Sequence, residues 1–421
     1  MNVFRSRPAL TALTALGATA LLAASTAAPS EAATPTSAPR TSVALDWYDT
    51  TAQTITAAGA TTQVTNSRAW AISWLAAARA AGSVPRGVDR GDYQDAALAS
   101  AVHDALVALA PARTDQLDAA LDRTLDSIPD GAAEDKGVAA GARQAALTLK
   151  SREGDGLDPA SVNAPFTVPP AAPGVWQPTP PAQAPATQYG NRLAKPFALR
   201  GADQYRLPAP PALDSRQYEA DLAEVRAYGV KEGSSRTARQ TETANFWYGS
   251  SLTLYTEPLR VAVDRSPRSA ADRARLVALF HVASVDTQIA TSDSKYAHQR
   301  WRPVTAIRTG GIGQDPEWTP LHDTPAHPDY PSGHNTYSGA AEGVLEALAG
   351  PRTAPYDLTS PTAPGATRTY TDWHRLTAEN VEARIYSGIH TRSADEAGVR
   401  LGEQVAGATL RNAEALLRPA R

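Results

Sequence analysis

Cysteine is absent from the 421-residue chain, and methionine occurs once. The lack of thiols removes disulfides, thiol catalysis, iron–sulfur clusters and cysteine-ligated zinc together. Charge of either sign is nearly balanced, with a formal net charge of -3, so composition gives no support for a nucleic-acid or membrane-surface partner. After the first thirty or so residues no stretch approaches the roughly 18 consecutive apolar residues of a membrane-spanning helix. Convincing runs of alternating β-branched residues are also lacking, which predicts an all-α protein. Lysine is rare, at Lys136, Lys150, Lys195, Lys231 and Lys295, so a lysine inside a motif is more informative than usual.

The N-terminus carries a different signal. Arg5 and Arg7 precede an uncharged apolar stretch over 8–24, and small residues follow at Thr26, Ala28, Ser30 and Ala32. That pattern predicts a secretory signal peptide over 1–32, and no Arg-Arg pair points to the twin-arginine route. The protein is therefore expected to be extracellular, resting on its core or on oligomerisation. Apolar residues then recur at three- and four-residue spacing over 41–59, 67–82, 92–110, 113–128 and 132–152, an N-terminal helical region over 33–157. Gly59 and Gly82 are expected helix stops. From 158 to 213 proline is too dense for helix. The aromatics Phe166, Trp176, Tyr189, Phe197 and Tyr205 interleave it, which predicts a connector packed along the helices. Helical spacing resumes over 214–229, 235–255, 267–295, 334–348, 377–386 and 393–417, giving a C-terminal helical domain over 214–421.

Three segments of that domain concentrate chemistry. Lys295 and Arg302 are seven apart, so on one helix they share a face two turns apart, while Pro303 places Arg302 at a helix end. Pro331-Ser332-Gly333-His334 enters a helix rich in small residues, whose free N–H groups and dipole suit an anion. Ser332 adds a hydroxyl, Gly333 allows close approach, and His334 can move a proton. Arg384 ends a third helix at the expected stop Gly388, leaving His390 in a loop before a capping box at Ser393-Ala394-Asp395-Glu396. Each segment alone reads as ordinary structure. Together, two histidines, three cations, a Ser-Gly turn and a helix N-terminus match the needs of a tetrahedral oxyanion such as phosphate or vanadate.

The order Lys-x6-Arg-Pro, Pro-Ser-Gly-His and Arg-x5-His resembles the signature of the type 2 phosphatidic acid phosphatase superfamily, which contains acid phosphatases, lipid phosphatases and vanadium-dependent haloperoxidases. The wording Trp301-Arg302-Pro303-Val304-Thr305-Ala306-Ile307-Arg308 and His327-Pro328-Asp329-Tyr330-Pro331-Ser332-Gly333-His334 is similar to the bacterial haloperoxidase branch, as is Trp176-Gln177-Pro178-Thr179-Pro180-Pro181. The resemblance implies an all-α fold of helical bundles with the oxyanion site in the C-terminal bundle. It implies a vanadate cofactor held by Lys295, Arg302, Ser332, Gly333 and Arg384 and ligated by His390, with His334 as acid–base. Its partners would be hydrogen peroxide, a halide and a small organic substrate. The position of His327 holds histidine in algal bromoperoxidases and an aromatic in the fungal chloroperoxidase, which favours bromide or iodide over chloride. Trp301 is either a pocket wall or core.

The same motifs allow a secreted acid phosphatase in which His390 is the phosphohistidine nucleophile and His334 the general acid. A divalent-metal hydrolase built on His322, Asp323, His327, Asp329 and His334 is a third reading, but it leaves Lys295 and both arginines unexplained. Two departures stand out. The family commonly has Asp four residues after the matching histidine, where this chain has Ala394 followed by Asp395. The phosphatases tend to have Ser before the matching arginine, where this chain has Ala383.

Overall fold

Alanine dominates the first helices, and it both favours helix and lets neighbours approach closely. The computed structural model describes residues 42–58, 62–266 and 268–420. The expected signal over 1–32 and the expected stop at Gly59 lie outside them. The first five helices are α1 (Val43–Ala57), α2 (Gln63–Ala81), α3 (Arg90–Leu109), α4 (Thr114–Leu125) and α5 (Ala132–Ser151). Thr62 and Asp89 cap α2 and α3 through their side chains, and Gly82 closes α2. Trp70 and Trp74 fill the space between the small residues of α2 and their neighbours.

After the short α6 (Pro159–Val162) the proline-rich chain has a 3-10 turn, Tyr189–Leu193, and an isolated antiparallel bridge from Val175 to Arg300. The remaining elements are α7 (Arg216–Gly229), α8 (Ala238–Phe246), α9 (Ser251–Asp264), α10 (Ala270–His298), α11 (Pro303–Thr309), α12 (Gly333–Ala349), β1 (Arg352–Thr359), β2 (Thr367–Asp372), α13 (His374–Tyr386), α14 (Arg392–Arg411) and α15 (Ala413–Leu417). α10 is the axis. It packs against α2 on one side and against α12 and α14 on another, and it is buried over most of its length.

The proline-rich chain is bound to that axis by backbone. The Asp286 carboxylate accepts the N–H groups of Phe197, Ala198 and Leu199 at 2.7, 2.7 and 3.0 Å. Asp293 receives Arg192 and Arg206, and the N–H of Leu207 reaches the Ser294 hydroxyl. The aromatics contribute packing: Phe166 and Tyr189 sit against Tyr296, and Trp176 is fully buried.

α12 and α14 lie so close that a Cβ on Gly339 would meet the Val399 carbonyl at 2.2 Å, and one on Gly402 the Thr336 carbonyl at 2.1 Å. This contact brings the starts of both helices together, where the Ser332 N–H donates to the Ala394 carbonyl at 2.9 Å.

The structure corrects three readings of the sequence and adds one element. The helix expected over 235–255 is two helices, broken where Trp247-Tyr248-Gly249 leads to Ser250, the residue before α9. α10 ends at His298, and Gln299 in the left-handed region turns the chain, so Lys295 and Arg302 do not share a helix. Pro303 opens α11 instead, with Arg302 just before it. The expected capping box at Ser393 does not form: Thr391 precedes α14, and its hydroxyl is committed to Asp329. Finally, 352–372 forms an antiparallel hairpin, pairing Tyr356 with Tyr370. Its apolar face is carried by Tyr356, Leu358 and Tyr370 rather than by β-branched residues. Among the described residues no helix is long and apolar enough to cross a membrane.

Candidate active site

Lys295, on the last turns of α10, is fully buried and cannot reach water. Its ammonium donates to the carbonyls of Pro328 and Asp329 at 2.6 and 3.1 Å. Arg302, also 0% exposed, donates from Nε to the His327 carbonyl and from Nη1 to the Ile389 carbonyl, both at 2.7 Å. Arg384, at the end of α13, gives Nη1 to the Trp247 carbonyl at 3.0 Å, and its Nε has no partner. Burial pushes all three cations below their usual range, the arginines to about 10. The charge of Arg302 lowers Lys295 further, and that of Arg384 lowers both. Two carboxylates, Asp329 and Asp395, face them, and burial raises both, Asp329 to about 6. Three buried, mutually repelling cations held by carbonyls form a site whose charge an anion would neutralise.

The Pro-Ser-Gly-His turn supplies the other wall. α12 starts at Gly333, and Ser332 does not cap it, so the first N–H groups have no partner within the helix. The Ser332 hydroxyl lies beside the Asp395 carboxylate but completes no well-formed hydrogen bond. A Cβ on Gly333 would stand 4.0 Å from the Lys295 Cε, which places the helix start against the ammonium. The unfilled Ser332 Oγ and Arg384 Nε, the free N–H groups and the surplus positive charge fit a tetrahedral oxyanion.

Each of the three histidines is held in a defined way. His390 Nδ1 lies 2.6 Å from Asp329 Oδ1, and its Nε2 lies 3.1 Å from Arg302 Nη1. A carboxylate accepts and a guanidinium donates, so Nδ1 carries the proton and Nε2 presents a lone pair. His334 Nε2 lies 2.8 Å from the Gly249 carbonyl, which makes Nε2 the donor and Nδ1 the free atom. His327 Nδ1 accepts from Arg302 Nη2 at 3.0 Å. Burial, followed by the nearby cations, depresses all three well below the usual imidazole range, so they are neutral.

The structure thus brings together Lys295, Arg302, Ser332, Gly333, His334, Arg384, His390 and His327. Trp301 does not join them. Its indole N–H goes to the Tyr218 hydroxyl at 2.6 Å, within an apolar cluster with Leu222, Val225 and Val304. The five-residue metal reading finds no support: among the described residues no three acidic or imidazole groups gather as ligands, and His322 is held by Asn245 and Ser387. Asp395 does not reach His390; it accepts from Asn335 Nδ2 at 2.7 Å. Three contributors escape sequence reasoning: Asp329 as the partner of His390, and the carbonyls of Trp247 and Gly249. The Gly249-Ser250 pair, a turn residue before a helix-starting serine, was the legible trace of that break.

Known proteins resemble this chain in fold and, over part of its length, in sequence. Residues 275–419 match the family described as the VCPO second helical-bundle domain. The vanadium chloroperoxidase of Curvularia inaequalis is 28% identical over 276 residues, covering 48% of this chain. The chain matches 45% of that relative's length. The crystal structure of a bacterial vanadium-dependent iodoperoxidase superposes with a TM-score of 0.72 at 22% identity, covering 87% of this chain and 96% of that one. An apo-type bacterial vanadium-dependent chloroperoxidase superposes with a TM-score of 0.65 at 15% identity, covering 84% and 93%. The mostly helical fold is therefore that of the vanadium haloperoxidases, and the segment bearing the cradle resembles their second bundle in sequence.

Proposed function

We propose that this chain, whose C-terminal segment resembles the second helical bundle of the vanadium haloperoxidases, is an exported vanadate-dependent haloperoxidase. It would oxidise bromide or iodide with hydrogen peroxide and halogenate a small organic substrate. The observation that carries the reading is the buried cradle of Lys295, Arg302 and Arg384 around His390, whose Nδ1 meets Asp329 and whose Nε2 meets Arg302. Those cations, with Ser332 and the N–H groups at Gly333, would hold vanadate oxygens, and His390 Nε2 would ligate the metal. Bound vanadate supplies the Lewis acidity that activates peroxide toward halide. His334, its Nε2 pinned to the Gly249 carbonyl, exchanges protons through Nδ1, and the burial of the cradle keeps bulk water from competing for its donors. His327 lies beside Arg302, and a histidine at this position is what, by the resemblance, supports bromide or iodide. Export rests on the signal pattern over 1–32.

The His390–Asp329 pair also suits a phosphohistidine nucleophile, so a phosphatase is the second reading. The deciding experiment follows bromination of an activated diketone by phosphate-free protein with peroxide and bromide, with and without orthovanadate, beside His390→Ala. Vanadate-dependent bromination lost in the variant supports the peroxidase. No bromination at any vanadate loading, with hydrolysis of a phosphate ester, moves the function to phosphatase.

A further inference from the structure

We propose that Asp329 is the positioning residue for His390, a carboxylate supplied by the loop before the Pro-Ser-Gly-His turn rather than by the helix after the histidine. In sequence, Asp395 is a candidate for this role, one position beyond the carboxylate common in the resembling family, or else a residue that favours the first turn of its helix. That side chain is bound to Asn335 on α12. Position 394 cannot take the role either, because Ala394 is packed in an apolar cluster with Tyr330, Ala290 and Leu401.

Asp329 is built into its place from both sides. Oδ1 lies 2.6 Å from His390 Nδ1, and Oδ2 accepts from the Thr391 hydroxyl at 2.9 Å. Its own N–H donates to the Arg300 carbonyl at 2.9 Å, and its carbonyl accepts from Lys295. Both Asp329 and His390 are 2% exposed, so water does not compete for either. One residue thus orients the imidazole through its side chain and the ammonium through its backbone. By accepting the Nδ1–H hydrogen bond, the carboxylate leaves Nε2 as the lone-pair atom and makes it a stronger donor, whether toward a metal or toward phosphorus. Thr391 fixes the second oxygen, so the carboxylate does not rotate away.

This inference rests on the cradle being an oxyanion site, but its test separates the two. The full-length protein is labelled with 15N-histidine, and the ring nitrogens of His390 are assigned by their loss in His390→Gln. Wild type is expected to show the Nδ1–H form. Asp329→Ala is expected to lose it, with inorganic phosphate binding weakened about 10- to 100-fold by calorimetry. Asp329→Asn, whose amide oxygen still accepts, is expected to keep the tautomer and show a smaller loss. Circular dichroism of both variants checks the fold, and Asp329→Asn carries the test if Asp329→Ala does not fold. An unchanged tautomer in Asp329→Ala, or a flipped one in folded Asp329→Asn, overturns the proposal. Absence of phosphate and vanadate binding by wild type would instead sink the oxyanion reading, while the tautomer would still decide the role of Asp329.

Discussion

His334 Nε2 is committed to a backbone carbonyl, so Nδ1 is the atom through which it can pass a proton. It touches neither Lys295 nor Arg302 by hydrogen bond, and His334→Ala therefore leaves three cations and His390 in place. Turnover is expected to fall about 10²- to 10⁴-fold, with phosphate affinity changed by only a few-fold. Steady-state halogenation beside calorimetry reads both. A second titrating residue lies far from this chemistry. His281 is buried with neither ring nitrogen bonded, stacked on Trp70 at 4.6 Å, and burial lowers it to about 3. Above its unfolded value of about 6.5 it is neutral in both states and pH has no leverage through it. As pH falls from there toward 3 the unfolded chain takes a proton that the fold refuses, and stability drops, by up to about 4–5 kcal/mol. His281→Phe is expected to flatten the decline of urea midpoints between pH 7.5 and 5. Equal slopes in both proteins would refute this. At this scale the sequence marked the residues that the fold brings together, because their types and spacings are local. It did not show Asp329, because the partner of His390 lies sixty-one positions away and pairs with it only through the fold.

The elements were legible where apolar spacing was long and uninterrupted, as in α2, α3, α10 and α14. They were obscured where a short break or a tertiary contact decided. Tyr248-Gly249 interrupts a stretch whose apolar spacing continues on both sides, so only the turn chemistry marked it. The 352–372 hairpin alternates burial with Tyr, Leu and Arg, and Pro355 sits within the irregular pairing between Arg352 and Tyr356, so a search for β-branched alternation passed over it. The contact of α12 with α14 was not legible either, since a glycine in a helix says nothing of what approaches it. That contact yields its own prediction. A methyl at Gly402 would lie 2.1 Å from the Thr336 carbonyl and 2.5 Å from the Ala340 nitrogen, both helix backbone that cannot swing aside. Gly402→Ala is expected to push the helices apart, costing about 1–3 kcal/mol. Because both helices start at the cradle, phosphate affinity is expected to fall as well. Urea unfolding and calorimetry on the same variant test whether packing and binding are coupled; lost stability with unchanged affinity would show that they are not.

Across the whole molecule, α10 is shared. Its flank packs against α2, its middle binds the proline-rich chain, and its end carries Lys295. Proline removes backbone donors and prevents that chain from building a ladder of its own, so its order depends on what α10 offers. Asp286 offers the most, accepting three consecutive N–H groups while fully buried. Asp286→Ala leaves those three donors without an acceptor in a place water does not fill. Each orphaned donor costs roughly 1–3 kcal/mol where it cannot relax. Local release of 197–199 lets some of them find solvent, so the expected net loss is about 3 kcal/mol. The loss need not stay local. Asp293, one further step along α10, holds Arg192 and Arg206 of the same chain, and Lys295 follows two residues later. Release is thus expected to raise amide exchange over 190–207, to speed proteolysis there and to weaken phosphate binding several-fold. Ligand then acts in the opposite direction: phosphate at about 100 times its dissociation constant stabilises the folded state by about 2.7 kcal/mol, and should restore most of the exchange protection in the variant. Protection restored by phosphate over 190–207 would establish that the proline-rich chain and the cradle are coupled through α10. Exchange that stays high when phosphate is bound would show that the connector is ordered independently of the site.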